Sequence, residues 1–237
     1  YELECETPRT AGNRHFGNLL PIDYVPGLVR AEIDAVLVPG EDEEPDEELR
    51  QRFFEKVNEP PFGGNVADYK QKISAIDGVG GVKVFPVWNG GGTVKCTIQA
   101  ADGNAPSSML VDEVQEAIDP APQGKGLGLA PIGHTVTIAG VQAVTINVET
   151  TVTLASGVTV GQVQEPIEEA IGAYLANLRH SWANETQLVV RVSQIEAAIL
   201  GVPGVIDVAD TELNGVAANV TLDEEEIPTL GTVTIHE

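Results

Sequence analysis

The densest group of chemistry-capable side chains is the run "EDEEPDEE" at 41–48, and a second acidic run, "DEEE", occupies 223–226. Clustered carboxylates can hold a cation, share protons or receive a basic surface. A calcium loop needs spaced oxygen ligands, a glycine that lets the loop turn sharply and a closing bidentate glutamate. Here the acids are consecutive and interrupted by Pro45, so that pattern is absent. As local structure, Asp46, or Glu44 ahead of Pro45, caps a helix whose acidic first turn meets the positive end of the helix dipole. Glu48 and Arg52 stand at i,i+4 spacing for an ion pair on that helix. The run at 223–226 reads as a solvated turn after a strand ending near Leu222. Contact with a basic partner surface is expected at Glu41, Asp42, Glu43 and Glu44, which exceed what a cap requires, and at Asp223, Glu224, Glu225 and Glu226.

Other candidate chemistries fail on spacing. "QGKGLG" at 123–128 departs from G-x-x-x-x-G-K-[ST] and follows prolines instead of a strand, so it reads as a linker. His15, His134, His180 and His236 form no H-E-x-x-H or i,i+4 pair, and no G-x-S-x-G elbow is present. No catalytic, metal or cofactor residue is therefore assigned, and the chain is read as no enzyme. Trp88 and Trp182 are the two tryptophans; they would be sugar platforms in a carbohydrate-binding module, and core or interface residues otherwise. Cys5 and Cys96 stand far apart and form no C-x-x-C pair, which suggests neither a zinc site nor a disulfide framework.

Composition bounds the partners. The 237 residues suffice for two modest domains, and 42% apolar with 21% charged residues is ordinary globular usage. Aromatic residues are 5%, so small-residue packing on β-sheets is expected in place of aromatic-centred cores. Thirteen basic against 36 acidic residues give a net charge of −23, and no basic residue follows Arg191. That field repels phosphate backbones and anionic lipid, which points to protein partners and away from nucleic acid and membrane. No apolar run reaches the roughly 20 residues of a membrane span. The chain opens at Tyr1, without Met, on "YELECETPRTAGNRHFGN", which reads as the interior of a longer protein lacking its N-terminal part.

The elements that would carry these residues follow from periodicity. Residues 1–40 read as loop and strand, and 46–57 as a helix with Leu49, Phe53, Val57 and Phe54 on its apolar face. Asn65 caps a second helix that ends at Gly78. "VKVFPVW" and "TVKCTIQA" form a hairpin around "NGGG", with Asn-Gly supplying positive φ. A helix capped at Ser107 or Ser108 runs to Pro120. After the connector "PAPQGKGLGLAPIG" come two alternating strands in "HTVTIAGVQAVTINVETTVTL", helices over 159–179 and 191–200, and further strands. The fold class expected is α+β: an N-terminal loop/strand segment at 1–40, part of a truncated upstream region, and two small related modules with antiparallel strands and hairpins, at 41–130 and 131–237. The relation rests on "ISAIDGVGGVKVFPVWNG" beside "IEAAILGVPGVIDVADTELNG", with Gly78, Val79, Gly81 and Val82 set against Gly201, Val202, Gly204 and Val205.

Three stretches resemble the baseplate J-like family, the wedge proteins of contractile phage tails of the Mu and PBSX type and of tailocins. "GEDEEPDEELRQRF" is similar to the family's D-E-x-L-R-x-R helix at Asp46, Glu47, Leu49, Arg50 and Arg52. "IGHTVTIAGVQAVTINVETTVTL" resembles the strand pair that opens its C-terminal domain. "IEAAILGVPGVIDVADTELNG" with "NVTLDEEEIPTLGTVTI" resembles its closing signature at Gly201, Gly204, Asn214, Gly215, Pro228 and Gly231. The resemblance implies a structural, non-enzymatic wedge component of a tail baseplate, assembled in the host cytoplasm and carried in the virion. It would assemble around the central hub and link to sheath or fibre components. It would be a multimer in the particle and is expected to be a monomer as an isolated fragment. A carbohydrate-binding or adhesive surface module is the alternative.

Overall fold

The computed structural model describes the chain except for residues 1, 2, 4, 7, 8, 15, 24, 34 and 59–61, and it divides into two compact units. Residues 1–102 and 106–140 make the first, residues 103–105 and 141–237 the second. Both are mixed α+β. The sequence places the division at 130/131; in the structure it falls after Gly140, because the strand following the connector pairs within the first unit.

The first unit starts with a short antiparallel pair, β1 (Gly17–Asn18) and β2 (Glu32–Ile33), and the helix α1 (Asp46–Asn58). Its core is built by α2 (Val66–Ser74), β3 (Val79–Pro86), β4 (Thr93–Ala100), α3 (Ser108–Ile118) and β5 (Thr135–Gly140). Asn65 caps α2 by accepting from the Asp68 amide at 2.8 Å, and Ser107 caps α3 through the Leu110 amide at 3.2 Å. Leu110, Val114 and Ile118, four apart, bury one stripe of α3 against Tyr69 and Ile73 of α2 and Cys96, Ile98, Val136 and Ile138 of the sheet. Strand order is β3-β4-β5, antiparallel then parallel, with α3 as the crossover. In the β3–β4 turn Gly90 of the Asn-Gly pair takes the positive φ expected there, and Val87 and Gly92 are left-handed as well.

The second unit contains β6 (Gln142–Leu154), α4 (Val160–Ser181), β7 (Val189–Val190), α5 (Val192–Leu200), β8 (Val205–Leu213), β9 (Val220–Thr221) and β10 (Glu226–His236). The three long strands order as β10-β6-β8, again one parallel and one antiparallel pairing. Val163, Ile167, Ile171 and Leu175 recur every fourth residue on α4 and are buried with Ile146, Val148 and Val152 of β6 and Ile195 and Ile199 of α5. Trp182 anchors a smaller cluster with Val141, Leu188, Leu222 and Ile227. The strands β5 and β6, adjacent in sequence and read as a pair, belong to two different sheets.

The internal repeat is present with a different register. The helices α2 and α5 are both nine residues, and each is followed by a turn that redirects the chain into a strand. The Ile76 amide bonds to Ile73 O and the Val79 amide to Ile76 O; the Val202 amide bonds to Ile199 O and the Val205 amide to Val202 O. Gly78 (φ +84°) and Gly204 (φ +100°) take the left-handed position ahead of each strand. Gly78 thus corresponds to Gly204, and Val79 to Val205, three residues on from the pairing suggested by the glycine spacing. Gly201 is an ordinary right-handed helix cap.

Both units treat the parallel edge strand alike. At the outer edge of β5, Gln115 of α3 donates to Val136 O (3.1 Å) and accepts from the Ile138 amide (2.9 Å). Asp119 accepts from the Val136 amide (2.9 Å), and Gln123 donates to Val136 O (2.8 Å). Beside β10, Gln164 of α4 donates to Val233 O (3.0 Å) and Arg179 to Pro228 O (3.0 Å). Side chains of α3, of its C-cap and the connector behind it, and of α4 satisfy backbone groups that a further strand would otherwise use.

Candidate functional site

The first acidic run is engaged by the chain itself. Asp46 is the first helical residue of α1, so the acidic start is as read, but the capping position falls on Pro45, whose carbonyl accepts from the Leu49 amide, and not on Asp46 or Glu44. Glu41 accepts from the Gly78 amide at 3.2 Å. Asp42 accepts from the Thr10 amide (3.2 Å) and hydroxyl (2.5 Å), while Asn13 and Gly40 exchange bonds of 2.9 and 2.8 Å, so residues 10–14 are latched onto 40–42. Glu44 takes both arms of the Arg52 guanidinium, at 2.9 and 2.7 Å. This is the described partner of Arg52; the side chain of Glu48, the residue first matched to it, lies outside the described part.

The Thr10 bonds hold Asp42, and the Arg52 hydrogen bond holds Glu44, below their ordinary carboxyl ranges. A lowered folded-state pKa means that the bonded form is favoured above the unfolded pKa and lost as pH falls through the folded one. The Thr10–Asp42 latch is therefore expected to hold at neutral pH and to release under acid below the ordinary aspartate range. The Thr10 amide shift and its exchange rate, followed by NMR, report this. An amide whose exchange, corrected for its intrinsic pH dependence, stays flat through that range would contradict it.

The second run is a tight turn leading into β10. The Asp223 amide bonds to Glu226 Oε2 (2.8 Å) and the Glu226 amide to Asp223 O (3.1 Å). The backbone carbonyls of Glu224 and Glu225 accept from Trp182 Nε1 and the Gln142 amide, both at 2.9 Å. Asp223 and Glu224 are exposed in this well-tied turn.

The remaining candidates fall into structural places. Trp182 is fully buried, so it offers no face to a sugar; Trp88 is partly exposed with the Lys95 ammonium 5.6 Å from its ring centre. Tyr69 O–H pairs with His134 Nδ1 at 2.8 Å, and burial pushes the phenol pKa up. Burial also pushes the Cys96 thiol up to about 12, which leaves it unreactive near neutrality, and neither Cys96 nor exposed Cys5 is in a disulfide. Glu149 meets His236 Nε2 at 2.9 Å on an exposed surface, and His15 lies outside the described residues. In the "QGKGLG" loop the Gly124 amide is held by Asp119 Oδ1 at 2.9 Å. Among the described residues, no group of three or more His, Cys, Asp or Glu is placed to hold a metal ion, and no helix is long and apolar enough to cross a membrane.

Three residues of the closing signature, Asn214, Gly215 and Gly231, come together around one residue of β6, Asn147. Asn214 and Gly215 both take positive φ (51° and 77°), turning β8 back between Leu213 and Val216. Asn214 Oδ1 accepts from the Asn147 amide at 2.8 Å, and the Asn214 amide bonds to Asn147 O at 2.9 Å. On the other side, β10 bulges by one residue, setting Gly231 and Thr232 opposite Asn147, whose Oδ1 accepts from the Thr232 amide at 2.9 Å. A Cβ on Gly231 would strike Asn147 Oδ1 and come within 2.5 Å of Thr145 Cγ2. Gly231→Ala is thus expected to cost about 1–3 kcal/mol by overpacking, measured as a lower midpoint in urea unfolding. An unchanged midpoint would mean that this bulge accommodates a methyl group.

Sequence reasoning missed the most unusual surface. Among the described residues up to Phe62, only Pro39 is buried, whereas Phe16, Leu20, Ile22, Val29, Phe53, Phe54 and Phe62 are all more than half exposed. The i,i+4 stripe of α1 forms as read, yet Leu49, Phe53 and Val57 lie open to solvent. Periodicity reveals an apolar face; it carries no signal for whether the same chain covers it.

Comparison with known proteins covers nearly the whole chain. Residues 61–140 match the baseplate J-like central domain and residues 146–236 the baseplate J-like protein C-terminal domain. The uncharacterized protein YqbT of Bacillus subtilis (strain 168) is 41% identical over 99% of this chain, and phage-like element PBSX protein XkdT of the same organism is 38% identical over 99%. The chain spans 66% of the length of each. Baseplate protein gp47 of Escherichia phage Mu is 43% identical over 68 residues, which are 27% of this chain and 19% of that protein. A chain in the six-fold symmetrised cryo-EM structure of the anti-feeding prophage baseplate shares the fold with TM-score 0.53 at 12% identity, covering 90% of this chain and 47% of that one.

Proposed function

The chain belongs to the baseplate J-like family of phage baseplate structural proteins, and from that premise we propose that it is a wedge component that packs around the central hub and links to sheath or fibre proteins. The observation that carries this reading is the match of both compact units, one to the family's central domain and the other to its C-terminal domain. The role is mechanical: wedges held by large protein interfaces rearrange when receptor contact triggers contraction. Supporting it, the residues of the closing signature serve backbone geometry at β6, β8 and β10, a use suited to holding a rigid module. The second unit, with 14 acidic and 2 basic residues over 141–237, suits basic protein surfaces and steers correct encounter more than it adds affinity.

The alternative, a carbohydrate-binding module, loses one of its two tryptophan platforms with the burial of Trp182. The deciding experiment mixes the full-length protein with purified hub and wedge-partner proteins at micromolar concentration and follows complex formation by analytical ultracentrifugation. Stable complexes are expected. Absence of binding to both partners, together with glycan binding that Trp88→Ala abolishes, would replace the wedge reading with the carbohydrate one.

A further inference from the structure

The strongest unexplained surface is the exposed apolar stretch ahead of the two matched domains. Residues 16–62 hold 14 of the 25 large hydrophobic side chains that are exposed in the described chain. They include Ile22 and Val29, which are almost wholly uncovered, and four residues of α1, where Phe53 and Phe54 meet edge-on with ring centres 5.8 Å apart. A 13-residue helix draws little stability from its own hydrogen bonds and normally depends on burying its apolar face. At about 150–250 Å² per aromatic side chain, the exposed parts of Phe16, Phe53, Phe54 and Phe62 alone come to on the order of 500 Å², more than half of the roughly 800 Å² that each partner contributes to a standard protein interface.

Charge selects the occupant. Residues 16–62 carry 12 acidic and 4 basic residues. Three of the basic side chains are already engaged within the segment, Arg30 by Glu32, Arg50 by Glu47 and Arg52 by Glu44. The segment that carries the apolar set is therefore strongly negative as a whole. A second copy docking through the same face would set like charge against like, a juxtaposition that costs several kcal/mol. The apolar area and the acidic segment together call for an apolar groove bordered by lysine and arginine.

Resting on the baseplate reading, we propose that residues 16–62, centred on α1, are the docking face for a different protein that receives the Leu49–Phe53–Val57 stripe in a basic-rimmed apolar groove. The anchored ends of the segment set the helix in place: Ser107 Oγ donates to Leu37 O at 2.6 Å, and the Glu41 and Asp42 bonds follow. The groove belongs to the partner and the helix to this chain.

The test uses the full-length protein in assembled tail particles, with a photo-crosslinking phenylalanine analogue replacing Phe54. The expected product is a crosslink to a different tail protein at a site flanked by Lys or Arg. A Phe53→Asp, Phe54→Asp double variant should be incorporated about ten-fold less well, with an unchanged melting curve for the free protein, since both rings are exposed there. A crosslink to a second copy of this chain or within the same polypeptide, or full incorporation of the double variant, would overturn the proposal while leaving the baseplate reading intact. Absence of the unmodified protein from purified particles would overturn the baseplate reading itself, and the docking face with it.

Discussion

Asp119→Ala is expected to weaken the first unit by about 4 kcal/mol, because two backbone amides lose a partner at once. The Asp119 side chain is almost completely buried, and its two oxygens accept from the Gly124 and Val136 amides at 2.9 Å each. Alanine restores neither bond, and an unsatisfied buried polar group costs about 1–3 kcal/mol. Asp119→Asn keeps one acceptor oxygen and turns an NH2 group toward the other amide, so it should recover about half of the loss. Urea unfolding followed by a probe in the first unit checks both, as a lower midpoint at constant slope. If Asp119→Ala unfolds at the midpoint of the parent protein, water must reach β5, and the account of that edge fails.

Trp182→Ala is the corresponding expectation for the second unit, with a loss of about 3–5 kcal/mol for removing a large buried aromatic side chain. Its ring fills the cluster of Val141, Leu188, Leu222 and Ile227, and its indole N–H is bonded to Glu224 O. Trp182→Phe separates the two contributions, since it keeps most of the apolar volume and leaves the Glu224 carbonyl to water. It should cost roughly 1–2 kcal/mol, mostly in packing. A sugar-binding tryptophan would behave oppositely: alanine would leave stability nearly unchanged and abolish ligand binding.

The elements with a period of their own could be read from the sequence. Leu110, Val114 and Ile118, and Val163 through Leu175, announce buried helix faces, and Asn65 and Ser107 announce their caps. What periodicity cannot carry is which strand pairs with which. The strands β5 and β6 alternate alike and are separated by the single residue Val141, yet they join different sheets; the choice lies in long-range contacts with β4, β8 and β10. The repeat was visible but set three residues off, because glycine identity marks Gly201 and Gly204 equally, and only φ tells which one makes the turn. The acidic run at 41–48 was legible as a helix start. Its partners Thr10 and Gly78 were not, since nothing in local spacing links a carboxyl to residues 32 and 37 positions away.

The polar side chains along β5 and β10 bear on how such a protein tolerates crowding. A baseplate holds its components at local concentrations where an open sheet edge is a template for adding another chain's strand, and that reaction has no natural stopping point. With Gln115, Gln123 and Asp119 bonded to Val136 and Ile138 of β5, and Gln164 and Arg179 to the Val233 and Pro228 carbonyls of β10, part of each edge is already occupied and makes a poorer template. Growth by strand addition is opposed there by side chains from the helices and the turn after α3, and on β10 also by Pro228, which has no amide to donate. Contacts between neighbours along these edges are left to side-chain surfaces, whose shape and charge set a finite assembly.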